Sequence, residues 1–289
     1  MGVFSRVVFL HGGVNKNMSA RILSGRTVRD SIVPELIRRV QDLSYTPTLA
    51  IIQVGDRPDS TAFIGAKKKF AQQIGVQEKH IQVPGSISEK ELISIITQCN
   101  TDTSIHAIIL QLPLPEHIDR TAAIEAISPD KDADGLTSGA RVMPATARGI
   151  GELLNFYKIS LSGKKVTVIG RSLLVGTPVA DMCRKEGATV TVCHKGSIDM
   201  MKEIAAADVL IVAAGKEKLL GREHVRLGQV VIDVGINKTQ DHRLVGDVDF
   251  ENVKDIVAAI TPVPGGVGPM TVCALFENIV DLCEGYAKR

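Results

Sequence analysis

Short, nearly unbroken runs of β-branched and aliphatic residues recur along this chain, each set off from the next by a segment with helical spacing. Residues 48–54 (TLAIIQV), 105–112 (IHAIILQL), 165–169, 189–193, 209–213 and 230–234 are such runs. A strand with one wet face alternates polar and apolar residues. Runs without alternation are buried on both faces, as in parallel sheets covered by helices. The intervening segments supply the helices. Val28, Ile32, Leu36, Ile37, Val40 and Leu43 share one face over 27–43. Ser88 with Glu91 has capping-box spacing ahead of an apolar face of Leu92, Ile95, Ile96 and Cys99. Further helices are predicted over 60–74, 122–127, 146–157, 177–186 and 199–206. Shorter strands are predicted at 80–83, near Leu244 and at 256–260. The alternation makes this an α/β chain.

At 289 residues the chain holds two such units, each with its own core. The boundary falls in the polar stretch after Asp130-Lys-Asp-Ala-Asp-Gly135, near Met143, and the helix over 146–157 crosses into the second unit. Hydrophobic residues make up 44% of the chain and aromatics only 3%. With a net charge of +2 and no basic block, backbone-tracking contact with nucleic acid is excluded as the main role. Five cysteines without a Cys-x-x-Cys pair argue for free thiols in a reducing compartment, not for zinc or a disulfide framework. No apolar run reaches membrane-spanning length. Residues 1–17 are basic, with a short apolar run at 7–10. They read as a disordered extension ahead of a start at Met18, or as a transit peptide.

Residues 260–272, Ile-Thr-Pro-Val-Pro-Gly-Gly-Val-Gly-Pro-Met-Thr-Val, hold three prolines and three glycines. That composition opposes both helix and strand and predicts a shaped binding loop, followed by a helix over 270–286 whose free N–H groups can face a ligand. In Val166-Thr-Val-Ile-Gly-Arg-Ser-Leu-Leu-Val-Gly-Thr-Pro178 a strand meets a glycine turn and a helix start. Gly170 permits the turn, and Gly176 the close approach of a dinucleotide or a neighbouring strand. Ser172 stands at the usual middle glycine. Where a free ribose 2′-hydroxyl would require an acid, the strand ending at Cys193 is followed by His194-Lys195. Lys195 and Arg171 therefore suit a 2′-phosphate, favouring NADP over NAD; two solvated surface cations are the alternative.

Phe63 and Lys67 share a helix face, and a lysine desolvated at a cleft floor can act as a general base; the neighbouring Lys68 and Lys69 suit a solvated turn as well. Gln111 ends a buried strand at the carboxyl edge where ligands sit in α/β sheets. Asp130, Asp132 and Asp134 resemble half of a calcium loop, but the twelfth position is Arg141, so no metal is expected. His194 lacks an accompanying nucleophile motif and reads as a phosphate-side or core residue. Asp233 is placed to orient loop amides.

Together, Lys67, Gln-Leu-Pro-Leu-Pro115, Asp-Lys-Asp-Ala-Asp-Gly135, Gly-Arg-Ser-x-x-Val-Gly176, Val-Ile-Asp-Val-Gly-Ile-Asn237, Val-Gly-Asp247 and Pro264-Gly-Gly-Val-Gly-Pro-Met-Thr271 resemble the methylenetetrahydrofolate dehydrogenase/cyclohydrolase family over about residues 18–286. The resemblance implies a Rossmann-like, doubly wound NADP-binding domain over 145–271. It also implies an N-terminal parallel-sheet catalytic domain over 18–144, completed by a C-terminal helix within 272–289. By resemblance Lys67 handles the proton of the cyclohydrolase step, Gln111 tunes it and Asp134 binds the pterin. Phe63, Leu110, Leu112, Pro264, Gly265, Gly266 and Val267 would surround the folate with them. Thr146, Gly170, Arg171, Ser172, Val175, Lys195, Ala213, Ile236 and Thr271 would face NADP. A homodimer paired through the cofactor domain is implied, in cytoplasmic one-carbon metabolism that serves purine biosynthesis, or in the mitochondrion if residues 1–17 are a transit peptide.

The implied reactions are oxidation of 5,10-methylenetetrahydrofolate with NADP and hydrolysis of the methenyl product to 10-formyltetrahydrofolate. Three departures from the family pattern stand out. Phe63 replaces a tyrosine, the segment after Gly135 is shortened with Pro144-Ala-Thr-Ala147 replacing Pro-Cys-Thr-Pro, and Lys195 replaces a serine. The first two favour, as an alternative, a dehydrogenase with weakened cyclohydrolase. A non-catalytic NADP- or folate-binding protein is the more distant alternative.

Overall fold

The structure, a computed structural model, describes residues 19–287; what was read into residues 1–17 lies outside the described residues. The described chain opens with strand β1 (Arg21–Ile22) and helix α1 (Gly25–Gln41). It then alternates through β2 (Thr48–Val54), α2 (Pro58–Ile74), β3 (Gln77–Val83), α3 (Glu89–Thr101), β4 (Ala107–Gln111), α4 (Arg120–Glu125) and α5 (Ala145–Phe156). β2 lies between β3 and β4 in a parallel three-stranded sheet. Six of its seven residues are buried, as its unalternating sequence requires. In register, Gln53 stands opposite Gln111 at the carboxyl edge.

The second half runs β5 (Lys165–Ile169), α6 (Gly176–Lys185), β6 (Thr189–Cys193), α7 (Met200–Ala206), β7 (Val209–Val212), β8 (Val230–Asp233), β9 (Asn237–Lys238), β10 (Leu244–Val245), α8 (Phe250–Val253), β11 (Ala259–Ile260) and α9 (Val267–Ala287). Six strands pair in parallel in the order β1-β11-β8-β7-β5-β6, while β9 and β10 form a separate antiparallel pair. The order turns back at β5, which has β6 on one side and β7 on the other. That leaves a crevice at the carboxyl ends of β5 and β7.

Three expectations are corrected. β1 joins the second sheet through β11, and Leu23 and Val28 enter that sheet's core, so residues after 18 do not serve the first unit alone. The strand expected over 256–260 contracts to Ala259–Ile260, because the chain is still turning as Ile256 and Val257 donate to Val253. Helix α9 starts at Val267, not at Met270, so the irregular loop is confined to 261–266. Pro269 is tolerated because first-turn N–H groups have no intrahelical acceptor.

Helix α9 joins the two halves. Phe276, Ile279 and Val280 are buried in the first sheet's core, and Met270 is buried in the second's. Its approach to the neighbouring helices depends on glycine. A Cβ on Gly149 of α5 would lie 2.8 Å from the Met270 carbonyl, and one on Gly25 of α1 would lie 1.9 Å from Gly266 O. Polar contacts fix the rotation of α9. Arg148 donates to Asn278 and Asp281, and Asn278 Nδ2 donates to the carbonyls of Ala133 and Met143, both at 2.9 Å.

Gly149 and Gly151 stand two residues apart on α5 but meet different surroundings, since the nearest neighbour to a Cβ on Gly151 is Met182 Sδ at 3.7 Å. Gly149→Ala is expected to cost about 1–3 kcal/mol by overpacking. Gly151→Ala should be neutral or stabilising by up to about 1 kcal/mol through helix propensity. Urea titrations of the two variants check the contrast.

Candidate active site

The amino end of α2 follows a turn at Gly55 (φ +77°), with Pro58 as its first helical residue. One helical turn separates Phe63 from Lys67, and Lys67 Nζ donates to Gln111 Oε1 at 3.1 Å. Gln111 Nε2 in turn donates to Leu112 O at 2.8 Å, which aims the amide oxygen at the lysine. Asp134 reaches the same place through a backbone pairing, because Ile108 and Asp132 form a parallel bridge beside β4. Asp132 accepts from the Gly135 and Thr137 amides, and Asp130 pairs with Arg141. The acidic motif is thus divided between backbone support, a surface pair and the cavity.

A cavity of about 160 Å³ is lined by Lys67, Leu110, Gln111, Leu112, Asp134, Leu136, Ala145, Thr146, Leu174, Val175 and Thr271. Lys67, Gln111, Asp134, Leu110 and Leu112, expected beside the folate, therefore share one space with Thr146, Val175 and Thr271, expected beside the cofactor. Burial is the largest influence on both ionisable groups. It pushes the Lys67 amine below the usual lysine range, against the pull of Asp134. It pushes the Asp134 carboxyl up, opposed by Lys67 and reinforced by Asp132. Each partner's charged form is disfavoured, which gives an amine that can accept a proton nearer neutrality than an exposed lysine.

Other expected positions lie elsewhere. Phe63 is 43% exposed and does not line the cavity. Gly265 (φ +112°) is buried and accepts the Gly25 and Arg26 amides at its carbonyl, at the start of α1. Gly266 is buried against α1 as well, Val267 enters the second sheet's core, and Pro264 is exposed. None of these four lines the cavity, and the Gly265 and Gly266 backbone lies against the first turn of α1.

On the cofactor side, Gly170 (φ +124°) donates to Cys193 O. A Cβ on Gly170 would meet Ala213 O at 2.2 Å, and one on Gly176 would meet Gly170 O at 2.2 Å. Gly176 therefore closes its own turn, where a dinucleotide or neighbouring strand was expected to approach. Ser172 does not stand in for a bare glycine, since its Oγ accepts from the Val175 and Gly176 amides at the start of α6. Arg171 and Lys195 are exposed beyond the adjacent strands β5 and β6. Lys195 lies in a turn in which Ser197 Oγ accepts from His194 N and His194 Nδ1 accepts from Gly196 N. Ala213 follows β7, and Ile236, 43% exposed, follows β8. These residues follow the carboxyl edge of the sheet outside the cavity.

Asp233 does orient loop amides: it accepts from Gly235, Asp247 and Val248. Burial pushes its carboxyl up to about 7, against the pull of those amides. The reading of the residues overlooked Leu136, Ala145 and Leu174 in the cavity lining, and it overlooked what Asp247 does. Only the glycine before Asp247, in Val-Gly-Asp, hinted at the latter.

The doubly wound sheet with a glycine turn at its switch point, joined by a shared helix to a second parallel sheet whose flanking helix α2 carries a desolvated lysine, defines a dinucleotide-dependent α/β enzyme. The catalytic-domain model of tetrahydrofolate dehydrogenase/cyclohydrolase matches residues 23–134 and the corresponding NAD(P)-binding-domain model matches 144–287. The chain belongs to this tetrahydrofolate dehydrogenase/cyclohydrolase family. Among its relatives, the bifunctional protein FolD of Brevibacillus brevis is 41% identical over 284 residues, covering 94% of this chain and 100% of the relative. The crystal structure of the bifunctional FolD methylenetetrahydrofolate dehydrogenase/cyclohydrolase of Campylobacter jejuni superposes with a TM-score of 0.90 at 38% identity, covering 93% of this chain and all of that one. A Trypanosoma brucei methylenetetrahydrofolate dehydrogenase-cyclohydrolase, complexed with NADP cofactor and inhibitor, gives 0.89 at 34% identity, over 94% and 100% of the two chains.

Because Asp134 raises the proton affinity of Lys67 while burial lowers it, removing the carboxylate has a signed consequence. In 13C-labelled lysine NMR, Lys67 should titrate below the ordinary lysine range, and Asp134→Asn should move its midpoint further down. An upward move contradicts the coupling.

Proposed function

We propose that this protein oxidises 5,10-methylenetetrahydrofolate to the methenyl form with NADP and hydrolyses that product to 10-formyltetrahydrofolate. The observation that carries the reading is the single cavity in which Lys67, Gln111 and Asp134 meet Thr146, Val175 and Thr271. Gly170 and Gly176 make the tight turn at the switch point, and Arg171 and Lys195 stand exposed beyond it to take a 2′-phosphate, so the residues fit NADP. When bound, NADP supplies the acceptor for the hydride that leaves the methylene carbon.

The protein's part in oxidation is orientation, because the substrate nitrogen lone pair drives hydride departure and no proton need move. Val175 and Thr271 hold the reacting faces together while Leu110 and Leu112 exclude water. In hydrolysis, water adds to the methenyl carbon and neutral Lys67 takes its proton, with the Gln111 oxygen keeping the amine directed inward. Asp134 binds the pterin. The carbon–nitrogen bond on the pterin side then breaks, leaving the formyl group on the other nitrogen and releasing one proton overall. Phe63 has no hydroxyl to add to this network, so Lys67 and Gln111 carry the proton step.

Residues 145–271 act as the cofactor domain, and 18–144 with 272–289 act as the folate domain, β1 and the beginning of α1 reaching across. Two copies pair through the cofactor domain, where β6 ends the sheet with one ladder edge unpaired among the described residues. The protein works in the cytoplasm. Its thiols, Cys99, Cys183, Cys193, Cys273 and Cys283, are free and buried, and no described helix is long and apolar enough to cross a membrane.

Purified protein given methylenetetrahydrofolate and NADP should form reduced cofactor; none above background defeats the proposal. Lys67→Met should cut methenyl hydrolysis by about 100-fold or more while NADP reduction persists, as followed by the absorbance of each species. Equal loss of both would remove the proton role from Lys67.

A further inference from the structure

Asp233 and Asp247 are both buried, at 2% and 0% exposure, where the loops after β7 and β8 meet. Asp247 uses both of its oxygens. Oδ2 accepts from the Ala214 and Gly215 amides at 2.7 and 2.8 Å, and Oδ1 accepts from the Lys216 amide and Asn237 Nδ2 at 2.9 and 2.8 Å. Asp233 holds Asp247 in place in turn, accepting its amide at 3.0 Å. The packing is reciprocal. A Cβ on Gly235, two residues after Asp233, would lie 2.2 Å from Asp247 Oδ1. A Cβ on Gly246, just before Asp247, would lie 1.8 Å from Asp233 Oδ2. Each carboxylate thus lies over a glycine beside the other.

Only an acceptor with two oxygens and about four lone-pair sites can satisfy four N–H groups. All four of these donors are neutral N–H groups, and a merely structural loop junction could be closed without burying a carboxyl group. Its place gives it another use. The amides that it holds belong to the loops carrying Ala213 and Ile236, at the carboxyl ends of the strands next to the switch point. Ile236 also approaches the first turn of α9, its Cδ1 lying 4.0 Å from the Cβ position of Gly268.

We propose that Asp247, seated by Asp233, is a positioning residue for hydride transfer: it locks the loops after β7 and β8 into one wall at the nicotinamide. The proposal rests on the dehydrogenase reading above and deepens it. Lys67 and Gln111 lie on other elements, so hydrolysis does not depend on this wall.

Asp247→Asn preserves volume but turns an NH₂ toward N–H donors. NADP reduction with methylenetetrahydrofolate and hydrolysis of supplied methenyltetrahydrofolate are measured on one preparation. The kcat for NADP reduction should fall roughly tenfold or more, as misplacement of reacting groups does. Hydrolysis should stay within about twofold of the unsubstituted protein, and the deuterium isotope effect with methylene-deuterated substrate should rise as the hydride step becomes limiting. Asn237→Ala removes one of the four donors and should cause a smaller loss in the same direction. It decides the matter if Asp247→Asn does not fold. Parallel loss of both activities, or unchanged NADP reduction, overturns the proposal. An unsubstituted protein lacking both reactions overturns the dehydrogenase reading along with it.

Discussion

The close crossing of α9 with α5 and α1 is the constraint on which the site depends. Gly149 lets the Met270 backbone come within reach of α5, and Gly25 does the same for Gly266 at the start of α1. Once the helix is that close, Asn278 can reach the carbonyls of Ala133 and Met143 together. Those carbonyls lie just before Asp134 and two residues before Ala145, both of which line the cavity. Thr271, on the first turns of the same helix, lines the cavity from the opposite half. A looser crossing would separate the carboxylate from the cofactor side, and loss of orientation alone can cost orders of magnitude in rate.

Inside the cavity the balance of forces explains why an amine and a carboxyl can coexist there. Coulombic attraction alone would favour a charged Lys67–Asp134 pair. Desolvation is the larger influence on each group, and removing a charge from water costs several kcal/mol even after relaxation. Gln111 fits this state because its amide oxygen accepts from the amine without introducing a charge of its own. A carboxylate at that position would restore the ammonium form and remove the base.

Much of this was legible in the residues. β5 and β6 have the bounds that their β-branched runs predict, and the capping box at Ser88 and Glu91 is formed on both sides. Lys67, Gln111 and Asp134 were found by motif, not by periodicity, since Lys67 next to Lys68 and Lys69 looks like a solvated turn. Features set by distant partners were not legible. β1 is two residues long and exists because β11 lies beside it. Gly265 looks like ligand-facing backbone until the Gly25 and Arg26 amides are seen to bond its carbonyl. Ser172 reads as a substituted glycine because its capping bonds to Val175 and Gly176 need the turn to exist first.

The two halves meet opposite chemical demands at one cavity. Hydride transfer needs two rigid faces at a set distance and no acid or base, which suits backbone-built loops at a sheet edge held by buried carboxylates. Hydrolysis needs a group whose protonation changes near neutrality, which suits a long side chain on a helix whose surroundings desolvate it. Rigid loops would make a poor proton acceptor, and a four-carbon side chain would make a poor wall for a ring. In the proposed division, Lys67 on α2 and Ala213 and Ile236 on the opposite sheet's loops let each half keep the stiffness its reaction requires. On that proposal the product of the first step forms next to the base that consumes it.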